Sequence, residues 1–123
     1  MKFVILFAAL LCLTSCYKNT RNCKDFKVGN FKSTVILNDN TYFSNYLRTE
    51  TLQIETYKGK IDSSEVRWIN DCEVIFKTIN PKNRTEKKDI HLKILTTTDS
   101  SYTFEYSYVG ETKKQKGTAI KIK

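Results

Sequence analysis

The chain has 123 residues, of which 40% are hydrophobic and 28% are charged, so it is long enough for one small domain and too short for several. Four glycines and one proline exclude collagen-like and linker-rich segments, and an aromatic content of 12% argues against intrinsic disorder. The single histidine, His91, and the lack of a Gly-rich phosphate loop exclude the common zinc and nucleotide sites. We therefore expect no metal, no cofactor and no enzymatic activity.

Residues 1–15 have the pattern of a secretory signal peptide. Lys2 supplies a positive charge, residues 3–13 carry no polar side chain, and two small polar residues follow. The apolar stretch is about half the length that a transmembrane helix needs. We predict a signal peptide over residues 1–15, a tether over residues 16–22 and a single β domain over residues 23–123.

The sequence Leu13-Thr14-Ser15-Cys16 resembles the bacterial lipobox, in which a branched apolar residue and two small residues precede a cysteine that becomes lipidated. The resemblance implies cleavage before Cys16, a diacylglyceryl thioether on its sulfur and an acylated amino group. Stable anchoring requires two membrane-binding signals, and each of the three acyl chains supplies one. The tether carries Lys18 and Arg21 and no acidic residue, which favours the periplasmic face of the outer membrane. The alternative is an ordinary signal peptide with a chance cysteine.

Two cysteines remain for the folded domain, because Cys12 leaves with the signal peptide and Cys16 takes the lipid. In an oxidising compartment, Cys23 and Cys72 are expected to form a disulfide. Two free thiols are the alternative.

Basic residues outnumber acidic ones by 21 to 13, which gives a net charge of +8. They are concentrated in three groups, namely Lys82/Arg84/Lys87/Lys88, Lys113/Lys114/Lys116 and Lys121/Lys123. Such a surface favours anionic partners, and for an envelope protein phospholipid or lipopolysaccharide phosphates fit better than nucleic acid. The alternative is a surface that serves solubility.

Hydrophobic and polar residues alternate with a period of two almost throughout the domain, which is typical of β-strands. We predict eight short strands, centred on Phe31–Leu37, Tyr42–Arg48, Leu52–Thr56, Val66–Asn70, Cys72–Phe76, Ile90–Ile94, Tyr102–Tyr108 and Thr118–Ile122. Tight connections favour an all-β antiparallel meander, either a lipocalin-like barrel or a two-layer sandwich, with a mostly filled interior. Residues 84–88 are the one stretch with helical potential.

Aromatic residues supply the candidate ligand-facing positions: Trp68, Tyr102, Phe104, Tyr106 and Tyr108. The last four lie on one face of a strand and could line a ligand cavity, although core packing explains them equally well. Glu55, Glu73 and Asp71 could supply a carboxylate pair, but Glu55 and Glu73 lie on the faces opposite Ile54 and Val74. We therefore expect Glu55 and Glu73 to face solvent.

Four segments resemble a group of small flavobacterial-type (Bacteroidota) lipoproteins of unknown function: residues 25–31, 52–56, 67–73 and 114–118. Members of that group are sometimes labelled DNA topoisomerase IV. That enzyme is large, cytosolic and ATP-driven, so the size of this chain contradicts the label. The segment Gly29-Asn30-Phe31 also resembles the Gly-x-Trp motif that closes the floor of lipocalin barrels, with Phe31 in the aromatic position.

Three functions fit this description of a monomeric, periplasm-facing outer-membrane lipoprotein. The first is a non-catalytic binding module for a small apolar or amphipathic ligand. The second is an interaction subunit of an envelope complex, or a protein that binds anionic lipid without a cavity. The third is an enzyme inhibitor, which is disfavoured if the target is a basic lysozyme, because like charges repel.

Overall fold

A computed structural model describes residues 21–122. The predicted signal peptide and the predicted lipid attachment residue, Cys16, lie outside the described residues. Within residues 21–122, no helix has the length and apolar character needed to cross a membrane.

The described chain consists of a short 3₁₀ helix followed by eight strands. The helix spans Cys23–Phe26. The strands are β1 (Gly29–Leu37), β2 (Asn40–Arg48), β3 (Leu52–Tyr57), β4 (Lys60–Asn70), β5 (Glu73–Thr78), β6 (Ile90–Thr97), β7 (Ser101–Tyr108) and β8 (Gln115–Lys121). This confirms the predicted all-β class and the eight predicted strands.

The strands form a closed antiparallel barrel in which each strand pairs with the next and β8 pairs with β1. The closing register sets Ser33 opposite Ala119 and Val35 opposite Gly117. Of the two predicted architectures the barrel is therefore the observed one. Closure satisfies the backbone groups that a sandwich would leave along its edge strands.

The two ends of the barrel differ. The plug end carries the 3₁₀ helix and the connections β2–β3, β4–β5 and β6–β7, and the far end carries the connections β1–β2, β3–β4, β5–β6 and β7–β8. The side chains that are almost fully buried lie toward the plug end: Phe26, Phe31, Arg48, Val74, Ile94 and Tyr102. The sequence does not predict this helix, because four residues are too few to establish a helical pattern.

Arg48 holds the plug against the barrel. Its side chain is fully buried, and its Nη1 donates a hydrogen bond to the carbonyl oxygen of Phe26 at 2.9 Å. The guanidinium carbon also lies 5.2 Å from the ring centroid of Phe31. Phe31, the aromatic residue of the Gly-x-Phe segment, thereby packs against the same guanidinium that binds the plug.

The disulfide between Cys23 and Cys72 fastens the start of the helix to the β4–β5 connection. It links residues 49 positions apart. The predicted pairing is therefore confirmed.

Residues 84–88 form a hydrogen-bonded turn and not a helix. The amide of Lys88 donates to the carbonyl oxygen of Thr85 at 3.1 Å, and the Asn83 side chain accepts from the amide of Glu86. The segment is exposed, so no apolar face packs on the barrel to stabilise further turns.

Replacing both Cys23 and Cys72 by serine is expected to lower the free energy of unfolding by roughly 4 kcal/mol, because the open chain regains loop entropy in the unfolded state. Urea denaturation of the variant and of the oxidised wild type measures the difference. Wild-type protein in reductant is the control and should match the variant. Equal urea midpoints for the variant and the oxidised wild type would contradict this account of the disulfide.

Candidate functional site

The barrel contains an interior cavity of about 220 Å³. The sequence predicts a mostly filled interior, and the interior is filled toward the plug end. Farther along the barrel, serines at interior positions 33, 44 and 64 leave space that larger side chains would fill. The cavity is therefore a consequence of small residues on the inner face of β1, β2 and β4.

The lining of the cavity has two chemically different walls. The polar wall comes from β1–β4 and the apolar wall mostly from β5–β7. The polar wall is formed by Ser33, Ser44, Tyr46, Arg48, Gln53, Glu55, Asp62 and Ser64, and the apolar wall by Val35, Phe76, Ile90, Leu92, Phe104 and Tyr106. An amphipathic molecule matches such a lining better than a purely apolar one.

A chain of hydrogen bonds runs across the polar wall. The Ser44 hydroxyl donates to Glu55 Oε2 at 3.1 Å, and the Ser33 hydroxyl lies 2.7 Å from that of Ser44. Because Ser44 uses its proton on the carboxylate, Ser33 is the donor of the second bond. The chain fixes the position of the Glu55 carboxylate.

Burial raises the pKa of the Glu55 carboxyl. The hydrogen bond from Ser44 opposes this effect, and the nearby charge of Asp62 adds to it. Burial also raises the pKa of the Tyr106 phenol, with a further contribution from Glu55. The ionised form of Glu55 is thus disfavoured in the folded protein.

The expectation that Glu55 faces solvent was wrong. On β3, Leu52 and Ile54 are more than a third exposed, whereas Gln53 and Glu55 point into the cavity. The reason is that the barrel buries the polar face of this strand around an open space, whereas the prediction assumed a packed apolar core. Glu73 does face outward, where its Oε1 lies 3.0 Å from His91 Nε2.

The remaining carboxylate of the cavity, Asp62, was missed, although a sequence signal for it existed. Trp68 was predicted to face inward, and counting back along β4 in steps of two places Ser64 and Asp62 on the same face. The signal was weak because acidic and hydroxyl side chains inside a small barrel are unusual.

The candidate ligand-facing residues separate into three groups. Phe104 and Tyr106 line the cavity. Tyr102 is almost fully buried near the plug, where its hydroxyl is hydrogen-bonded to that of Tyr46, and Trp68 packs against the core beside Arg48. Tyr108 lies at the far end, with Lys88 Nζ 5.3 Å from its ring centroid.

The amino-acid sequence matches no protein-family model, and it has no significant match among curated proteins or solved structures.

The substitution Glu55→Gln is expected to stabilise the protein at neutral pH. Below the unfolded-state pKa, near 4.5, Glu55 is protonated in both states and the two proteins should be equally stable. As the pH rises through the raised folded-state pKa, ionisation destabilises the wild type and leaves glutamine unaffected. Urea unfolding at several pH values measures the divergence.

The matched control is Glu65→Gln on the exposed face of β4. This surface substitution should change the free energy of unfolding by less than about 0.5 kcal/mol. A Glu55→Gln variant that is less stable than the wild type at pH 7 would contradict the burial effect on Glu55.

Proposed function

We propose that this protein is a lipid-anchored, non-catalytic envelope protein that binds a small amphipathic molecule inside its barrel. The observation that carries the proposal is the interior cavity with one polar and one apolar wall. A protein that served purely as a scaffold would gain stability by filling this space, because cavities cost free energy. Membership of the flavobacterial-type lipoprotein group stays a prediction.

The volume of the cavity limits the size of the ligand. An apolar cavity of about 150 Å³ accommodates benzene, so about 220 Å³ suits a molecule of roughly ten non-hydrogen atoms. A single acyl chain of a phospholipid is too long to be enclosed. The part of the ligand that the barrel encloses is therefore small, with one ring or a short hydrocarbon body and a polar head.

The position at which the tether joins the barrel supports an orientation of the barrel relative to the membrane. The amide of Asn22 donates to Thr97 Oγ1 at 2.8 Å, and Arg21 Nη1 donates to the carbonyl oxygen of Ile94 at the same distance. The tether therefore joins the barrel near its plug end. An anchor at Cys16 would place the plug end toward the membrane and leave the far end facing the periplasm.

A second candidate function, an interaction subunit, is favoured by apolar side chains on the outer face. Ile36 and Phe43, on adjacent strands, are 66% and 68% exposed. Leu47 and Ile54 form a direct cross-strand pair that is also exposed. Exposed apolar clusters of this kind mark protein contact surfaces.

Basic residues at the far end could add to such a surface. The segments 79–89 and 109–114 lie at the same end of the barrel, which brings two of the basic groups of the sequence together. Two of these lysines are paired, Lys88 with Glu111 and Lys114 with Glu105. In the orientation proposed above, this end would meet anionic groups away from the anchoring leaflet.

Binding in the cavity can be tested with 2-phenylethanol, a neutral amphipathic molecule of suitable size. We expect Ser64→Leu to weaken its binding by roughly tenfold or more, because the larger side chain occupies the cavity. NMR titration of the labelled protein gives the dissociation constants. The control is Ser63→Leu, the same substitution on the outer face of the same strand, where Ser63 is paired with Ile54.

Equal dissociation constants for wild type and Ser64→Leu would place any binding outside the cavity and contradict the proposal. Native mass spectrometry of protein extracted from its own membranes adds an independent readout. A mass increment that denaturation removes supports the ligand-binding function, and its absence favours the interaction subunit.

Replacing Cys16 by alanine is expected to move the protein from the membrane fraction to the soluble fraction, because the acyl chains that hold it are lost. Cell fractionation with intact-mass analysis measures the change. Cys12→Ala is the matched control and should leave the protein in the membrane, since residue 12 is removed with the signal peptide. Retention of the Cys16→Ala variant in membranes would contradict the anchor.

A further inference from the structure

We infer that the cavity selects a cationic ligand, namely a small primary amine whose ammonium group is held between Glu55 and Asp62 and whose apolar body lies on the opposite wall. The inference rests on the proposed ligand-binding function and deepens it by naming the charge of the head group.

The two carboxylates are arranged to share one cation. Glu55 on β3 and Asp62 on β4 are direct partners in the antiparallel register, and both line the cavity. Directly opposed residues have Cβ atoms roughly 5 Å apart, so one group between their side chains can contact both. An ammonium group has three N–H donors and no acceptor, which fits two carboxylates and a neighbouring hydroxyl.

Within residues 21–122 the pair lacks an ion-pair partner, and the cavity lining holds two carboxylates against one guanidinium, that of Arg48. The ion pairs of this part of the chain involve Asp71, Glu73, Glu105 and Glu111, and neither Glu55 nor Asp62 takes part in one. Arg48 also lines the cavity, but its guanidinium donates to Gln53, to the Phe26 carbonyl and to Tyr102. A partly buried carboxylate pair without a cation is costly, and a bound ammonium would remove that cost.

The apolar wall offers a surface on which the hydrocarbon body of the ligand can pack. Phe104 and Tyr106 present aromatic rings to the cavity from β7, across from the carboxylates of β3 and β4, and Phe76 adds a ring from β5, the neighbour of β4. A ring or short hydrocarbon can pack there while the head group reaches the polar wall. The cavity therefore matches both ends of an aromatic or short aliphatic amine.

The test compares 2-phenylethylammonium with 2-phenylethanol, which have the same ring and chain and differ in the head group. We expect the ammonium compound to bind wild-type protein about tenfold more tightly, because hydrogen bonds between charged groups are about twice as strong as neutral ones. Isothermal calorimetry and NMR titration at pH 7.5 and low ionic strength give both dissociation constants. Phenylacetate, the matched anion, should bind more weakly than either.

The double variant Glu55→Gln/Asp62→Asn should lose the preference for the ammonium compound and keep its affinity for the alcohol within about twofold. The control, Glu65→Gln, alters an exposed carboxylate on the outer face of β4 and should retain the preference. The NMR spectrum of each variant shows whether the barrel is folded.

The outcomes separate the two proposals. Equal binding of amine and alcohol to wild type, or a preference that the double variant retains, overturns the inference and leaves the ligand-binding function intact. Failure of all three probes to bind overturns both. Tighter amine binding that requires Glu55 and Asp62 supports both.

Discussion

The buried guanidinium of Arg48 is the interaction on which the two halves of the barrel depend. Burying a charge without partners would cost far more than the net stability of a domain this small, so its surroundings must satisfy it. Three neutral oxygens accept its hydrogen bonds, from the plug, from β3 and from β7. Four aromatic rings surround it at 5.1–5.6 Å. Arg48 thus joins a packed end to the start of the cavity.

From Arg48 toward the far end of the barrel, the interior changes from packed aromatic rings to an open cavity. The character of the cavity lining depends on which strand supplies it. Strands β5–β7 supply large apolar side chains to the lining of the cavity, whereas β1–β4 supply the serines and the carboxylates. The closed sheet holds these two sets opposite each other. The amphipathic cavity therefore arises from closure of the barrel and not from any single segment of the chain.

The cavity lining carries two carboxylates, Glu55 and Asp62, and one guanidinium, Arg48, whereas the chain as a whole is strongly basic. The chain has a net charge of +8, and its lysines lie mostly on exposed positions, whereas Glu55 and Asp62 face the cavity. Surface charges act through water and salt, which screen them beyond about 8 Å at physiological ionic strength. Charges inside the cavity act at contact distance and in a medium that screens less. In the proposed function, net charge acts on partners of the surface, and the two carboxylates act on the ligand in the cavity.

The amino-acid sequence by itself determined the all-β class and the eight strands, because period-two alternation is a local property. It predicted the pairing of Cys23 with Cys72 only after Cys12 and Cys16 had been assigned to the signal peptide and the lipid, and it left two free thiols as the alternative; the structure shows the disulfide. It also predicted Phe104 and Tyr106 as inward-facing. It did not determine which face of β3 is inside, because Leu52 and Ile54 suggest an apolar interior that the closed barrel contradicts. The choice of barrel over sandwich, the burial of Arg48 and the pairing of Glu55 with Asp62 were decided by tertiary structure alone, since each depends on strand register and closure between distant residues.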